Sequence, residues 1–337
     1  MTTIRDVARL SGVSVTTVSV IINGKAEERG ITKKTQDKVL AAMKELSYQP
    51  NLSARKLRNQ DPAKPTIAFY WPLDYRTPIL ASFLDELQKA IKMQNFQCEL
   101  IVQTYEYGNL MRDATAIINN SYNSVVIGGA SKNDFEFLES ITPKMPIVLI
   151  NRESKKYSTV NTDPQEIGMK AAQLFYNKGY TEVAVIASNE PYVATSLRTQ
   201  AFLTACTQLG INVNPEYIIQ GYSSVAGGNA AAEVFCKLKN PPRAIFFESD
   251  SMAIGALHSF HKNGKRTPED IEILAIGMLD SEFTSLCIPS LSVIELPNSK
   301  ISQLIMEILS EKIQSNDMSP IHFKVEAEVI LRESFSV

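Results

Sequence analysis

The sequence predicts an all-α unit of three helices containing a helix-turn-helix, followed by a longer α/β unit of two doubly wound lobes. Three observations carry that prediction. Charge is divided unevenly: residues 1–60 hold 11 Lys and Arg against 5 Asp and Glu, while the whole chain holds 34 against 36, so the first sixty carry +6 and the rest −8. Apolar residues in the first fifty positions recur at helical spacing, with turn residues between the runs. From Thr66 onward, strand-length apolar runs alternate with helix-length amphipathic segments, the pattern of parallel sheets. With 337 residues and 44% hydrophobic content, the chain can bury the cores of two or three domains.

The first helix is read from Ile4, Val7, Ala8 and Leu10, apolar positions on one face, and ends at Gly12, which tolerates left-handed geometry. Ser14 is placed as N-cap of a second helix through Thr17, Val18, Ile21 and Ile22, stopped by Asn23-Gly24. Two short helices joined by Gly-Val-Ser make a helix-turn-helix. A third helix, Thr32 to Leu46, offers Val39, Leu40, Met43 and Leu46 to close a three-helix core. In a helix-turn-helix that reads DNA, the second helix enters the major groove, which puts Val15, Thr16 and Val20 toward base edges. Thr16 can hydrogen-bond a base, whereas Val15 and Val20 can only pack on a thymine methyl. A three-helix protein-interaction module satisfies the same periodicity.

Thr3-Ile4-Arg5-Asp6-Val7-Ala8, Gly12-Val13-Ser14, Thr17-Val18-Ser19, Asn23-Gly24-Lys25 and Tyr48-Gln49-Pro50-Asn51-Leu52-Ser53-Ala54-Arg55-Lys56-Leu57 closely resemble the headpiece and hinge of the lactose-repressor/galactose-repressor (LacI/GalR) family of bacterial transcriptional regulators. The resemblance covers nearly all of residues 3–58. It implies phosphate contacts by Thr17, Ser19, Asn23, Tyr48 and Asn51, and a hinge helix from Asn51 through Ala54 to Leu57 that forms on DNA. It also implies that Leu57 is a minor-groove wedge at the operator centre, with Arg58 beside it, since an apolar wedge can kink a deformable base step. Two features depart from the family pattern. Val20 stands where many members have arginine or histidine, and Ala26-Glu27-Glu28-Arg29-Gly30 lengthens the loop before the third helix, where Lys25 and Arg29 either reach phosphates or are simply solvated.

After the polar linker Asn59 to Lys64, strands are predicted at Thr66 to Trp71, Cys98 to Val102, Ser124 to Ile127, Pro146 to Ile150, Val183 to Ala187, Ala244 to Phe247 and Ile273 to Ile276. Helices are predicted at Ile79 to Gln94, Pro164 to Asn177, Ser196 to Leu209, Gly227 to Leu238 and Ser249 to Asn263. The organisation expected is a DNA-binding headpiece over 1–50, a hinge helix and linker over 51–65, and an effector-binding and dimerisation domain over 66–337. Within it, lobe 1 is expected over 66–161 and 292–319, and lobe 2 over 162–291 and 320–337.

The region Thr66 to Val337 resembles, more loosely, the periplasmic-binding-protein-like core of the same family. The matching strings include Val148-Leu149-Ile150-Asn151-Arg152, Leu197-Arg198-Thr199-Gln200-Ala201-Phe202, Ser249-Asp250-Ser251-Met252-Ala253 and Leu331-Arg332-Glu333-Ser334. The resemblance implies interlobe crossings near Asn161, Leu291 and Pro320, and a small-molecule effector between the lobes at the carboxyl ends of the strands. It carries over six effector-binding candidates. Arg198 has a fork of donors suited to vicinal hydroxyls or a carboxylate; Asn151 and Ser249 are polar cleft positions; Tyr75 and Ile79 lie on the apolar lining. The carboxylate usual in the family's cleft aligns with Leu279, which leaves Asp280 as the sixth candidate. That departure adds an anionic or partly apolar effector to the sugar or sugar derivative the family suggests.

Enzyme classes are disfavoured. The sequence has no G-x-G-x-x-G after a strand, no G-x-x-x-x-G-K-[ST] loop and no G-x-S-x-G elbow, so no catalytic residue and no cofactor are expected. His258 and His261 read as surface or packing residues rather than metal ligands, having no cysteine or carboxylate arranged around them. Cys98, Cys206, Cys236 and Cys287 include no C-x-x-C pair and read as reduced thiols. The N-terminus has no apolar signal region, and no stretch approaches the roughly 18 apolar residues of a membrane span. The expectation is a cytoplasmic repressor of a carbohydrate-utilisation operon, binding double-stranded operator DNA of two-fold symmetry as a homodimer. A dimer is favoured because the chain closes at Val337 without a leucine-rich helical tail. The competing expectation, a solute-binding receptor serving a transporter, shares the α/β fold but needs an export signal and has no use for residues 1–58.

Overall fold

The structure is a computed structural model and describes residues 3–22, 26–27, 29–46, 48, 64–74, 76–189 and 192–335. The chain divides into two compact units, Met1–Ala63 and Lys64–Val337. In the first, α1 (Ile4–Ser11) begins at a capping box in which Thr3 Oγ1 accepts from Asp6 N–H and the Asp6 carboxylate accepts from Thr3 N–H at 3.0 Å. It ends at Gly12, φ +67°, where the N–H groups of Gly12 and Val13 both return to the carbonyl of Ala8. That left-handed turn brings Ser14 to cap α2 (Val15–Ile22), its Oγ accepting from Thr17 N–H at 3.0 Å. α3 (Lys33–Glu45) starts from a Thr32 cap and packs Val39 and Ala42 against Val7, Ala8, Val18 and Ile21.

Two residues expected in that core stand outside it: Leu10 is 46% and Leu40 53% exposed. Ala26 is buried with the core instead, and Ile31 N–H donates to its carbonyl at 2.8 Å. The segment read as an added loop is therefore partly core, with Glu27, Arg29 and Gly30 in solvent.

The second unit holds two six-stranded sheets. The first runs β11-β5-β4-β3-β1-β2, all parallel, from β1 (Thr66–Pro72), β2 (Glu99–Tyr105), β3 (Ser124–Ile127), β4 (Ile147–Ile150), β5 (Ser158–Thr162) and β11 (His322–Val325). The second runs β12-β10-β9-β8-β6-β7, from β6 (Ala184–Ser188), β7 (Ile218–Gly221), β8 (Ala244–Phe247), β9 (Glu272–Gly277), β10 (Ser292–Glu295) and an antiparallel β12 (Glu328–Ile330). Helices cover the faces: α4 (Thr77–Met93) and α9 (Asn298–Ser315) pack together on the first sheet. α5 (Pro164–Asn177) packs with α6 (Val193–Gln208), and α7 (Val225–Phe235) with α8 (Asp250–Lys262), on the second. A Cβ on Gly168 would stand 2.5 Å from the backbone carbonyl carbon of Ala201, so a glycine lets α5 and α6 approach closely.

Sheet membership corrects two of the expected crossings. Val293 of β10 pairs with Ala275 of β9, so the chain leaves lobe 2 after β10 and not near Leu291. Phe323 of β11 pairs with Val160, so it returns after β11 and not near Pro320. Residues 292–295 therefore belong to lobe 2 and 322–325 to lobe 1. The reason is physical: Val293 and Ile294 fill opposite core faces of the second sheet, whereas β11 is a four-residue, mostly exposed edge whose alternation is too short to stand out in the sequence.

Candidate effector cleft and nucleic-acid interface

On α2 the exposed residue is Thr16; Val15, Thr17, Ser19 and Val20 are half-buried. Val15 packs against the headpiece core, and Thr17 Oγ1 lies 2.9 Å from Ser14 Oγ, so both have structural duties alongside any contact with DNA. Tyr48 packs on the same core, its N–H donating to Met43 O at 2.9 Å, and burial raises its phenol above the ordinary value. Arg5, Arg9, Arg29, Lys33, Lys34, Lys38 and Lys44 are all exposed, which gives the unit a cationic surface. Asn23, Asn51, Ala54, Leu57 and Arg58 lie outside the described residues, as does Tyr75 of the cleft set.

In the second unit the parallel strands of both sheets point their carboxyl ends at one cleft, where doubly wound folds bind ligands. There a cavity is lined from lobe 1 by Trp71 and Arg76 at the end of β1, Ile79 and Phe83 on α4, and Asn151 and Arg152 after β4. Lobe 2 supplies Tyr192, Ala194, Thr195 and Arg198 at the start of α6 and Met278 after β9; Leu296 and Asn298 stand at the β10–α9 crossing. The structure thus brings together three of the predicted residues, Ile79, Asn151 and Arg198. Asn151 holds φ +53°, and its Oδ1 accepts from Thr162 N–H at 3.0 Å and Oγ1 at 3.1 Å, which ties the end of β4 to the end of β5. Arg198 is only 4% exposed; its hydrogen bonds to Thr162 Oγ1 (3.4 Å) and Met278 Sδ (3.9 Å) are long.

Ser249 and Asp280 each cap a helix start and are not among the residues lining the two cavities that hold Arg198. Ser249 is fully buried, its Oγ accepting from Met252 N–H at 3.4 Å as N-cap of α8. Asp280 is exposed and accepts from Glu282 N–H at 2.9 Å as N-cap of the short helix Ser281–Leu286. Four further residues define the cleft without having been singled out: Trp71, Arg76, Arg152 and Tyr192. Arg76 binds Asp74 and donates to Gly129 O, and its guanidinium lies 4.8 Å from the ring centre of Tyr107 and 4.5 Å from that of Tyr192. The Tyr107 and Tyr192 rings meet edge to face at 5.3 Å, so this cluster joins the two lobes. Their polar or aromatic character at the carboxyl end of strands was the available signal.

Two carboxyl groups behind the cleft are displaced by burial. Glu248, at the end of β8, is pushed up to about 7 by desolvation, against the opposing effects of a Thr199 hydrogen bond, a Ser188 backbone bond and the charge of Arg198. Asp250 is pushed up to about 6 by burial although it accepts from the backbone of Met278 and Leu279, each at 2.8 Å, fastening α8 to the end of β9. Desolvation also lowers the guanidinium of Arg152.

A model of the lacI family of bacterial regulatory proteins matches residues 3–51, and a periplasmic binding protein-like domain matches residues 172–335. A LacI family transcription regulator from Clostridium acetobutylicum, known as a crystal structure, is 34% identical, with a TM-score of 0.77 over 80% of this chain and 100% of its own. The chain belongs to the LacI family. Its LacI-family relatives include the "Probable HTH-type transcriptional repressor ExuR" of Bacillus subtilis (strain 168), 28% identical over 318 residues and 92% of each chain. The lac repressor dimer bound to operator and the anti-inducer ONPF shares the fold at 21% identity, with a TM-score of 0.69 over 100% of this chain and 99% of its own. The family is one of regulatory proteins and not of enzymes. Among the described residues no helix is long and apolar enough to cross a membrane.

Proposed function

We propose that this LacI-family chain is a sequence-specific DNA-binding transcriptional repressor whose operator affinity is set by a small molecule held between its two lobes. The observation that carries the reading is the headpiece: a capped α1, a left-handed Gly12 and a Ser14-capped α2 that presents Thr16 on a cationic three-helix unit. The cleft at the strand ends supplies the sensing half, and a sugar or sugar derivative is the ligand class the family suggests. A repressor of this kind works in the cytoplasm, as a homodimer on two-fold operator DNA. Phe283, Leu286 and Ile288, the last 92% exposed, are apolar surface that suits a second copy. By the family resemblance, Asn23, Tyr48 and Asn51 hold phosphates and Leu57 enters the minor groove. No cofactor is needed for either step.

Salt titration tests the reading. Affinity of the full chain for duplex DNA should fall with a log-log slope of roughly −0.9 per phosphate neutralised. Thr16→Ala should weaken a specific site by about 1–3 kcal/mol while leaving random duplex nearly unaffected. An affinity indifferent to salt refutes the assignment.

A further inference from the structure

The described walls of the cavity at Trp71 are rich in hydrogen-bond donors. Three guanidiniums line it, those of Arg76, Arg152 and Arg198, at 8%, 8% and 4% exposure, and no described residue of that cavity is Asp or Glu; Glu153 and Asp163, the latter paired with Lys324, line the adjoining cavity that shares Asn151, Arg152 and Arg198. The Oδ1 of Asn151, a natural acceptor, is already taken by the N–H and Oγ1 of Thr162. On the same wall the indole N–H of Trp71 is buried with no acceptor. The start of α6 also faces the cavity through Ala194 and Thr195, and its N-cap, Tyr192, makes no side-chain cap hydrogen bond to the first turn.

A sugar hydroxyl donates as well as accepts and is poorly served by such walls, whereas a carboxylate only accepts. The charges agree. Arg76 is neutralised by Asp74, but the hydrogen bonds of Arg152 go to the carbonyl oxygens of Ala130 and Asn151, leaving a buried cation whose bonds reach no carboxylate. Glu248 stands behind Arg198 with its carboxyl raised by burial toward the neutral form, so Arg198 and Arg152 both offer positive charge to an anionic group on the ligand.

We propose that the effector is a small organic monocarboxylate of sugar-acid size, its carboxylate held by Arg198 at the start of α6 and facing Arg152, its apolar side on Trp71, Ile79 and Phe83. The proposal rests on the cleft reading above and narrows it to a ligand class.

Trp71 is the single tryptophan of the chain and lines the cavity, so its fluorescence reports occupancy directly. The full chain is titrated with glucose, glucuronate and glucose 6-phosphate, with the matching galactose and mannose sets, and with gluconate, and thermal shifts are recorded in parallel. An acid should change Trp71 emission and bind at least ~10-fold more tightly than its neutral and phosphorylated counterparts. Arg198→Gln should weaken that acid by roughly 10- to 100-fold, with Arg198→Lys recovering part of the loss. If a neutral sugar or a phosphate binds best through Trp71, or no acid in the panel binds, the carboxylate class is overturned. If ligands raise the melting temperature without altering Trp71 emission, the cleft itself is wrong.

Discussion

Glu248→Gln should flatten the pH dependence of stability. Glu248 is 3% exposed, and its Oε2 accepts from Thr199 Oγ1 at 3.0 Å. Burial lifts the carboxyl from its ordinary 4.5 to about 7, so between these values the folded chain holds a proton that the unfolded chain has lost. The stabilisation from that proton is complete below pH 4.5 and is lost as pH rises through 7. Converting the interval at 1.36 kcal/mol per pH step gives about 3 kcal/mol. Glutamine keeps an oxygen for Thr199 and cannot ionise, so the variant lacks this contribution. Asp250, also raised, titrates in both chains with the same sign and largely cancels in the difference. Urea titrations followed by Trp71 emission at pH 5 to 8.5 give the two curves. The parent should lose stability relative to the variant as pH rises, by an amount on the order of 2–3 kcal/mol across the range. Parallel curves, or a variant that loses more at high pH, would refute the assignment of a buried protonated carboxyl, whatever constant offset the amide introduces.

Tyr192→Ala removes an edge-to-face ring and a guanidinium contact across the lobes and should lower stability by about 1–3 kcal/mol in the same assay, whereas Tyr192→Phe should cost less than about 0.5; equal losses would discount the ring contacts. Gly255→Ala should cost about 3 kcal/mol or more by urea unfolding, because its Cβ would lie 1.8 Å from the carbonyl oxygen of Val225 and force α7 from α8; a silent substitution contradicts that packing. Leu57→Gly should reduce binding to a specific site while sparing random duplex, measured by competition; equal losses on both make Leu57 a packing residue and not a wedge.

The headpiece was legible because its structure is written in local chemistry. Thr3 and Asp6, Gly12, and Ser14 with Thr17 each fix a helix end within a few residues, so spacing alone places α1 and α2. Core membership was less so: Leu10 and Leu40 satisfy helical periodicity, yet Ala26 from the following loop is buried there and they are not. In the α/β unit the buried central strands announce themselves, whereas β5, Ser158–Thr162, is mostly polar and β11, His322–Val325, is a short exposed edge, and both exist through pairing with distant partners. Arg198 and Asn151 were found through the family resemblance. Ser249 and Asp280, carried over the same way, cap helix starts, a local role that spacing alone also suggests for a serine or aspartate. The pairing of Arg76 with Tyr107 and Tyr192 could not be read, since it is made by three separate strand ends that only the fold brings together.

The central claim, that α2 of this LacI-family chain reads DNA, is tested most directly by selecting duplexes bound by the full chain from a random pool and sequencing them. The account predicts a two-fold symmetric site, bound at least ~10³-fold more tightly than random duplex at physiological salt, whose half-site preference relaxes in Thr16→Ala. A pool that stays random after repeated selection, or a preference unchanged by substitutions in α2, would contradict it.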